Sequence, residues 1–263
     1  MHFIRVGLLC VTAVAPLFAD TIVVPGAFSF ATGPYGSSVP FTWFPPNLRS
    51  QTVYNASLFS SITEAVAITG VSYRLHRDFD VNFNYTIPDF QLTLSTTSAA
   101  AGGLSTTFAN NTGSDATVVR TGPLTLAHTV GMGAPRPFNV SVSFSTPFLY
   151  DPSAGNFLMD YRVTGNTPPT AYFDSTFDFS PGGTQSNGIS GVLTDQPNQA
   201  NAFPLNCCPA SNGTQPGGLI IQLEYDAASE VPEPATLPLT GAAGVAAVLA
   251  LRRQSARNPA SQR

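Results

Sequence analysis

The chain has 263 residues and a formal net charge of −4, with 43% hydrophobic but only 10% charged residues. All eleven basic residues are arginines, four of them in the last twelve positions, and no basic stripe crosses the body. This excludes a nucleic-acid partner held through its phosphates, and the abundance of Ser, Thr, Asn, Gly and Pro fits an exported chain.

Met1 to Ala19 reads as a secretory signal peptide. Arg5 supplies the positive start, Val6 to Ala15 the apolar stretch, and Leu17-Phe18-Ala19 the cleavage site before Asp20. Cys10 follows Leu9, which is too large for a lipoprotein signal. With both ends set aside, Asp20 to Ala228 leaves 209 residues, enough for one core.

Asp20 to Pro46 is an irregular Gly/Pro-rich arm with one or two short strands and the aromatic residues Phe28, Phe30, Tyr35, Phe41, Trp43 and Phe44. Trp43, Tyr35 and Phe44 are candidate glycan contacts, because ring faces stack on apolar surfaces; as a plug for one end of the core they would need no ligand. Arg49 to Phe59 is expected to hold a short helix from Ser50. Ala65 to Leu75 reads as a strand with Val71, Tyr73 and Leu75 on one face.

The clearest periodicity follows. Phe79, Val81, Phe83, Tyr85 and Ile87 alternate with polar residues, a period of two that predicts a half-buried strand ended by Pro88. Phe90, Leu92 and Leu94 repeat it before a loop at Ala99 to Gly103. Val118 to Arg120 and Leu124 to Leu126 read as two strands split by Gly122-Pro123. Phe138 to Phe144 alternates up to Pro147, and Asp151 to Asn156 is dense in turn formers. Phe157 to Val163, Tyr172 to Phe179, Ile189 to Leu193 and Leu219 to Tyr225 complete the set. Strands separated by turn signals, with almost no helical period, predict an all-β antiparallel sandwich, jelly-roll-like, over residues 20–228.

Catalytic constellations are absent from the sequence: there is no metalloprotease helix motif, nucleophile elbow or phosphate-binding loop. No enzymatic activity and no catalytic residue are expected. A triad assembled from distant segments would have to use His76 or His128. Cys207 and Cys208 are the cysteines left after removal of the signal, and an adjacent disulfide is the favoured state, against two free thiols or intermolecular bonds. Two thiolates make half a zinc site, so no metal site is expected. Asp78, Asp80, Asp89, Asp151, Asp174 and Asp178 read as solvated strand or turn carboxylates; calcium is the cation they would favour, but without a known loop spacing. No cofactor is expected.

The chain ends in a distinct segment, residues 229–263. Val231-Pro232-Glu233-Pro234 precedes an uncharged run of seventeen residues, Ala235 to Leu251, and then Arg252 and Arg253. As a helix the run would reach ~25 Å, slightly short of a ~30 Å hydrocarbon core. The arginines would hold the C-terminus in the cytoplasm by the positive-inside rule. A short Pro-Glu-Pro, an apolar helix and an Arg cluster resemble the PEP-CTERM sorting signal of Gram-negative bacteria. Leu104 to Asn111 and Thr146 to Asn156 also resemble segments of exported PEP-CTERM proteins of unknown function. The resemblance implies an exosortase-type transpeptidase as partner and a setting of exopolysaccharide and biofilm production. Leu237-Pro238-Leu239-Thr240-Gly241 also matches the LPxTG sortase pattern, although only ten apolar residues follow it.

The sequence therefore predicts a non-enzymatic envelope or matrix protein, anchored by a single C-terminal membrane helix and extracellular after processing. A polysaccharide or another matrix component would be its partner. The alternatives are a carbohydrate-binding module of the same fold and an extracellular hydrolase.

Overall fold

The computed structural model describes residues 19–42, 46–79, 81–176, 187–202 and 215–228. The chain divides into two units, Met1–Ala228 and Ser229–Arg263. The Val231–Pro234 motif, the apolar run with Arg252 and Arg253, Trp43, Phe44, Cys207 and Cys208 lie outside the described residues, as do Asp80, Asp178 and the signal peptide up to Phe18. Among the described residues there are twelve strands and four short 3-10 turns. None of their helices is long and apolar enough to cross a membrane.

The fold is all-β and its strand pairs are antiparallel. Strands β1 (Asp20–Val24), β4 (Val66–Tyr73), β7 (Val140–Tyr150) and β12 (Ile221–Ala227) form one sheet in the order β1-β12-β4-β7. A six-stranded sheet is built from β3 (Leu48–Tyr54), β5 (Phe83–Thr97), β6 (Thr117–His128), β8 (Asn156–Thr164), β10 (Ile189–Thr194) and β11 (Gln215–Pro216). Its order is β11-β10-β3-β8-β5-β6, and β2 (Tyr35–Ser37) pairs separately with β9 (Phe173–Ser175).

The two larger sheets share one core. Tyr73 of β4 and Tyr161 of β8 meet through their hydroxyls at 2.7 Å, and Phe148 and Tyr150 of β7 pack on Phe157 of β8 with ring centroids 6.1 and 5.0 Å apart. Alternation along β7 places Val140, Val142, Phe148 and Tyr150 inside and leaves Ser141, Ser143 and Leu149 exposed.

Where the sequence expects a helix from Ser50, the structure has β3. It lies between β10 and β8 and is covered on both faces, so all seven of its residues are buried. Leu48 and Tyr54 belong to the central core, while Val53 joins Leu104, Phe108, Leu158 and Val192 in a second cluster on the outer face. Arg49 and Gln51 share that outer face. Arg49 donates to Asp160 through Nε and Nη2 at 3.2 and 2.7 Å, and Gln51 Nε2 donates to the same carboxylate at 2.9 Å. The alternation rule needs one wet face, and β3 has none.

The strand expected from Phe79 begins only at Phe83. Residues Arg77–Phe79 form a 3-10 turn, and Phe79 and Val81 are exposed. Pro88 does not end β5. The ladder to β6 slips between Ile87 and Phe90, opposite Gly122 to Leu124, so both Pro88 and Pro123 sit where no ladder N–H is needed. For the same reason the two short strands expected around Gly122-Pro123 are one strand, β6, with Gly122 at φ +89°.

Candidate functional site

The site is anchored by a buried ion pair. Arg74, just past β4, and Asp174 in β9 are each 1% exposed in their side chains, with Nε and Oδ2 2.7 Å apart. Arg74 Nη2 also donates to the carbonyls of Phe28 and Ala31, and the Gly33 amide donates to both Asp174 oxygens at 2.9 and 3.0 Å. Burial raises the Asp174 carboxyl above its ordinary value, opposed by the Gly33 amide and the Arg74 guanidinium. The pair thereby ties the N-terminal arm to the end of β4. Its chemistry is consumed by architecture, since each partner is already bonded and neither reaches solvent.

Backbone bonds carry that order outward. Asp174 N donates to Arg74 O and His76 N donates to Tyr172 O at 2.9 and 2.8 Å, so residues 172–174 run alongside residues 74–76. Tyr172 is thereby set against Phe79, whose own amide donates to His76 O at 3.0 Å. The Phe79 and Tyr172 rings lie 4.5 Å apart at 45°, with the His76 ring 6.0 Å from Phe79. Phe79 is 45% exposed, so part of its ring faces solvent while the rest packs on Tyr172 and His76.

Beside this pair opens a cleft of about 440 Å³, lined by Ser38, Thr42, Thr170, Tyr172 and the Pro168-Pro169 pair. None of its described lining residues is charged. Thr42 Oγ1 donates to Ala171 O at 2.5 Å and its amide to Ser38 O at 2.7 Å, which fastens the two walls together. Behind the rings lies Gly36 of β2. A Cβ there would come within 2.9 Å of Tyr172 Cβ and 3.3 Å of the Phe79 ring. Gly36→Ala is therefore expected to displace Tyr172 and to cost about 1–3 kcal/mol, measured as a lowered urea midpoint; an unchanged midpoint would show that the ribbon can retreat.

Of the arm residues expected to contact glycan, Tyr35 is described, and it is 37% exposed. Alternation along β2 turns it to the face opposite Gly36, and hence away from the Phe79–Tyr172 pair. The two rings that the structure brings together here, Phe79 and Tyr172, were hidden in the sequence for different reasons. Phe79 reads as one more inward position of an alternating run, and Tyr172 follows a Pro-Pro turn far along the chain. The flanking Arg77 and Asp78 were the one local sign that Phe79 leaves the core.

His128 Nδ1 lies 2.8 Å from Asn139 Oδ1, and its ring packs 5.7 Å from Phe83. His76 Nδ1 is 3.8 Å from a carboxylate oxygen of Asp78, which is well exposed. Among the described residues no group of three or more His, Cys, Asp or Glu side chains is gathered as a metal site. Asp151 caps its own turn by accepting from the Ser153 amide at 2.8 Å, and bonding to Ser153 holds its carboxyl below the ordinary value. Asp151 and Asp115 line a second, open depression of about 390 Å³ with Leu149. Asp115 is likewise committed, accepting the Thr96 amide on both oxygens at 2.9 and 3.1 Å. In comparisons with known proteins, no family model, curated protein or solved structure matches the chain.

Proposed function

We propose that the chain is a non-enzymatic exported protein, displayed at the cell envelope or released into an extracellular matrix, whose body is a jelly-roll-like sandwich. The observation that carries this reading is the C-terminal succession of Val231–Pro234, an uncharged run to Leu251, and Arg252-Arg253. An exosortase-type transpeptidase would recognise that tail, and the run would hold the chain in the membrane with its C-terminus in the cytoplasm until it is cut.

The body's architecture supports the reading. Cleavage after Ala19 would leave β1 whole, since its ladder to β12 starts at Asp20 opposite Tyr225. The start of the body and the end of its last strand therefore lie side by side. Leaving out β2, β9, β10 and β11, eight strands remain. In chain order the first, eighth, third and sixth form one sheet and the second, seventh, fourth and fifth form the other. That double Greek-key order supports a jelly roll. Among the described residues the buried arginines and aspartates, Arg49 with Asp160 and Arg74 with Asp174, are paired with one another.

C-terminal mass spectrometry of the protein recovered from producing cells is the direct test. The expected mature chain lacks Arg252 and Arg253 and leaves the membrane fraction, whereas replacing Pro232, Glu233 and Pro234 by alanine leaves the tail intact and the protein membrane-bound. An intact tail on the released wild-type protein overturns the sorting reading.

A further inference from the structure

We propose that the cleft between Thr42 and Tyr172, together with the exposed Phe79 ring that packs on Tyr172, is a binding site for an uncharged polysaccharide. The proposal rests on the export reading only for where such a polymer would be met.

Three observations carry it. The first is an aromatic surface that is exposed yet rigid. Phe79 is 45% exposed, but its ring is held against Tyr172 at 4.5 Å and its backbone is tied to His76, which is itself buried. Fully burying a Phe ring is worth about 1.5–3 kcal/mol, so a partner that covers the 45% of Phe79 still in water would gain part of that. The axial C–H face of a pyranose is such a partner, being flat, apolar and matched in size to one ring.

The second observation is the chemistry of the cleft beside that ring. Its volume of about 440 Å³ falls within the range of small-ligand sites. The hydroxyl-bearing residues Ser38, Thr42, Thr170 and Tyr172 line it, the Thr42 proton being committed to Ala171 O, and none of the described lining residues is charged. Hydroxyl groups both donate and accept, as sugar hydroxyls do, and so can match a sugar in several orientations. A polyanion would instead call for Arg or Lys in the lining, and a protein partner is better met by a broad, flatter surface.

The third is preorganisation. The Pro168-Pro169 pair stiffens one wall, and the Thr42 bonds to Ser38 and Ala171 lock it to the other. The buried Arg74–Asp174 pair lies directly behind, fixing residues 172–174. Ordering costs on binding are reduced accordingly. Since the cleft is open to solvent, a chain of sugars can pass along it, one unit lying in the cleft and the next over Phe79.

Affinity electrophoresis and calorimetry of the full chain in mild detergent, against soluble glucan, mannan and galactan and against a polyuronate, test this. The expected result is saturable binding of at least one neutral polymer, insensitive to salt, and weakened about tenfold in Phe79→Ala. Phe79 packs on Tyr172 and His76 but is 45% exposed, so that variant should remain folded, which its melting curve checks. Tyr172→Phe, which keeps the ring and loses the hydroxyl, should bind better than Tyr172→Leu at equal stability. Binding of no neutral polymer, undiminished binding by Phe79→Ala, or a salt-sensitive preference for the polyuronate would each overturn the proposal. None of these results bears on the tail, and C-terminal mass spectrometry reports on the tail without reference to sugar.

Discussion

Asp174→Ala should destabilise the protein by about 3–5 kcal/mol, because it leaves the Arg74 guanidinium buried without its counter-charge. Both side chains are 1% exposed, so water cannot take the place of the carboxylate. The Gly33 amide loses both of its acceptors in the same step. Urea unfolding followed by circular dichroism measures the loss, with Asp78→Ala as the control. Asp78 is 61% exposed and 3.5 Å from Arg77, so its removal should change stability by no more than about 1 kcal/mol. A comparably small loss for Asp174→Ala would mean that the pair is not a structural tie.

The same variant separates global from local loosening. Arg74 also holds the Phe28 and Ala31 carbonyls, so limited proteolysis of the Asp174→Ala protein should begin in the arm around those residues. The pH dependence has a definite sign. Burial raises the native Asp174 carboxyl above the ordinary value. The stabilisation that proton uptake at Asp174 adds is therefore fully present below the unfolded carboxylate value of about 3.9 and is lost as pH rises through the raised native value, leaving the contribution of the charged pair. The stability gap between wild type and Asp174→Ala should narrow over that window and then stay constant. Replacing both partners, Arg74→Met with Asp174→Leu, should cost less than the sum of the two single changes, which a double-mutant cycle reads directly.

Phe157→Ala is expected to cost a similar amount, about 3–5 kcal/mol, through the cavity it leaves. Phe157 is fully buried and touches the rings of Tyr54, Phe59, Phe148 and Tyr150, with centroids 5.0 to 6.4 Å away. Those rings come from β3, β7 and the 3-10 turn Ala56–Phe59, so no single element can shift to refill the space. Phe157→Leu should lose less, since it restores part of the volume. The denaturant midpoint should fall while the slope stays constant. A drop in slope instead would show that the sheets had already separated in the folded state. Phe157→Ala should not alter the Phe79–Tyr172 surface, because neither ring is among its neighbours.

Alternation between apolar and polar residues was sufficient for the all-β class, because strands such as β5 and β7 present one face to the central core and the period of two records it. It failed wherever burial was not one-sided. β3 is covered on both faces, so Arg49, Gln51 and Val53 carry no polar–apolar alternation, and the second cluster that covers them comes from loops far away in the chain. At Phe79 the alternation continues in sequence although the backbone has turned, and a residue that reads as core stands in solvent. Local pattern reports what a segment prefers on one surface, whereas a site depends on which distant segments meet. The pairing of residues 74–76 with 172–174, the Arg74–Asp174 tie, and the joining of Phe79 to Tyr172 beside the cleft are long-range contacts of this kind. Residue identity alone was enough for the all-β class; the tertiary structure decided which strands became neighbours, and through them which aromatic rings face water.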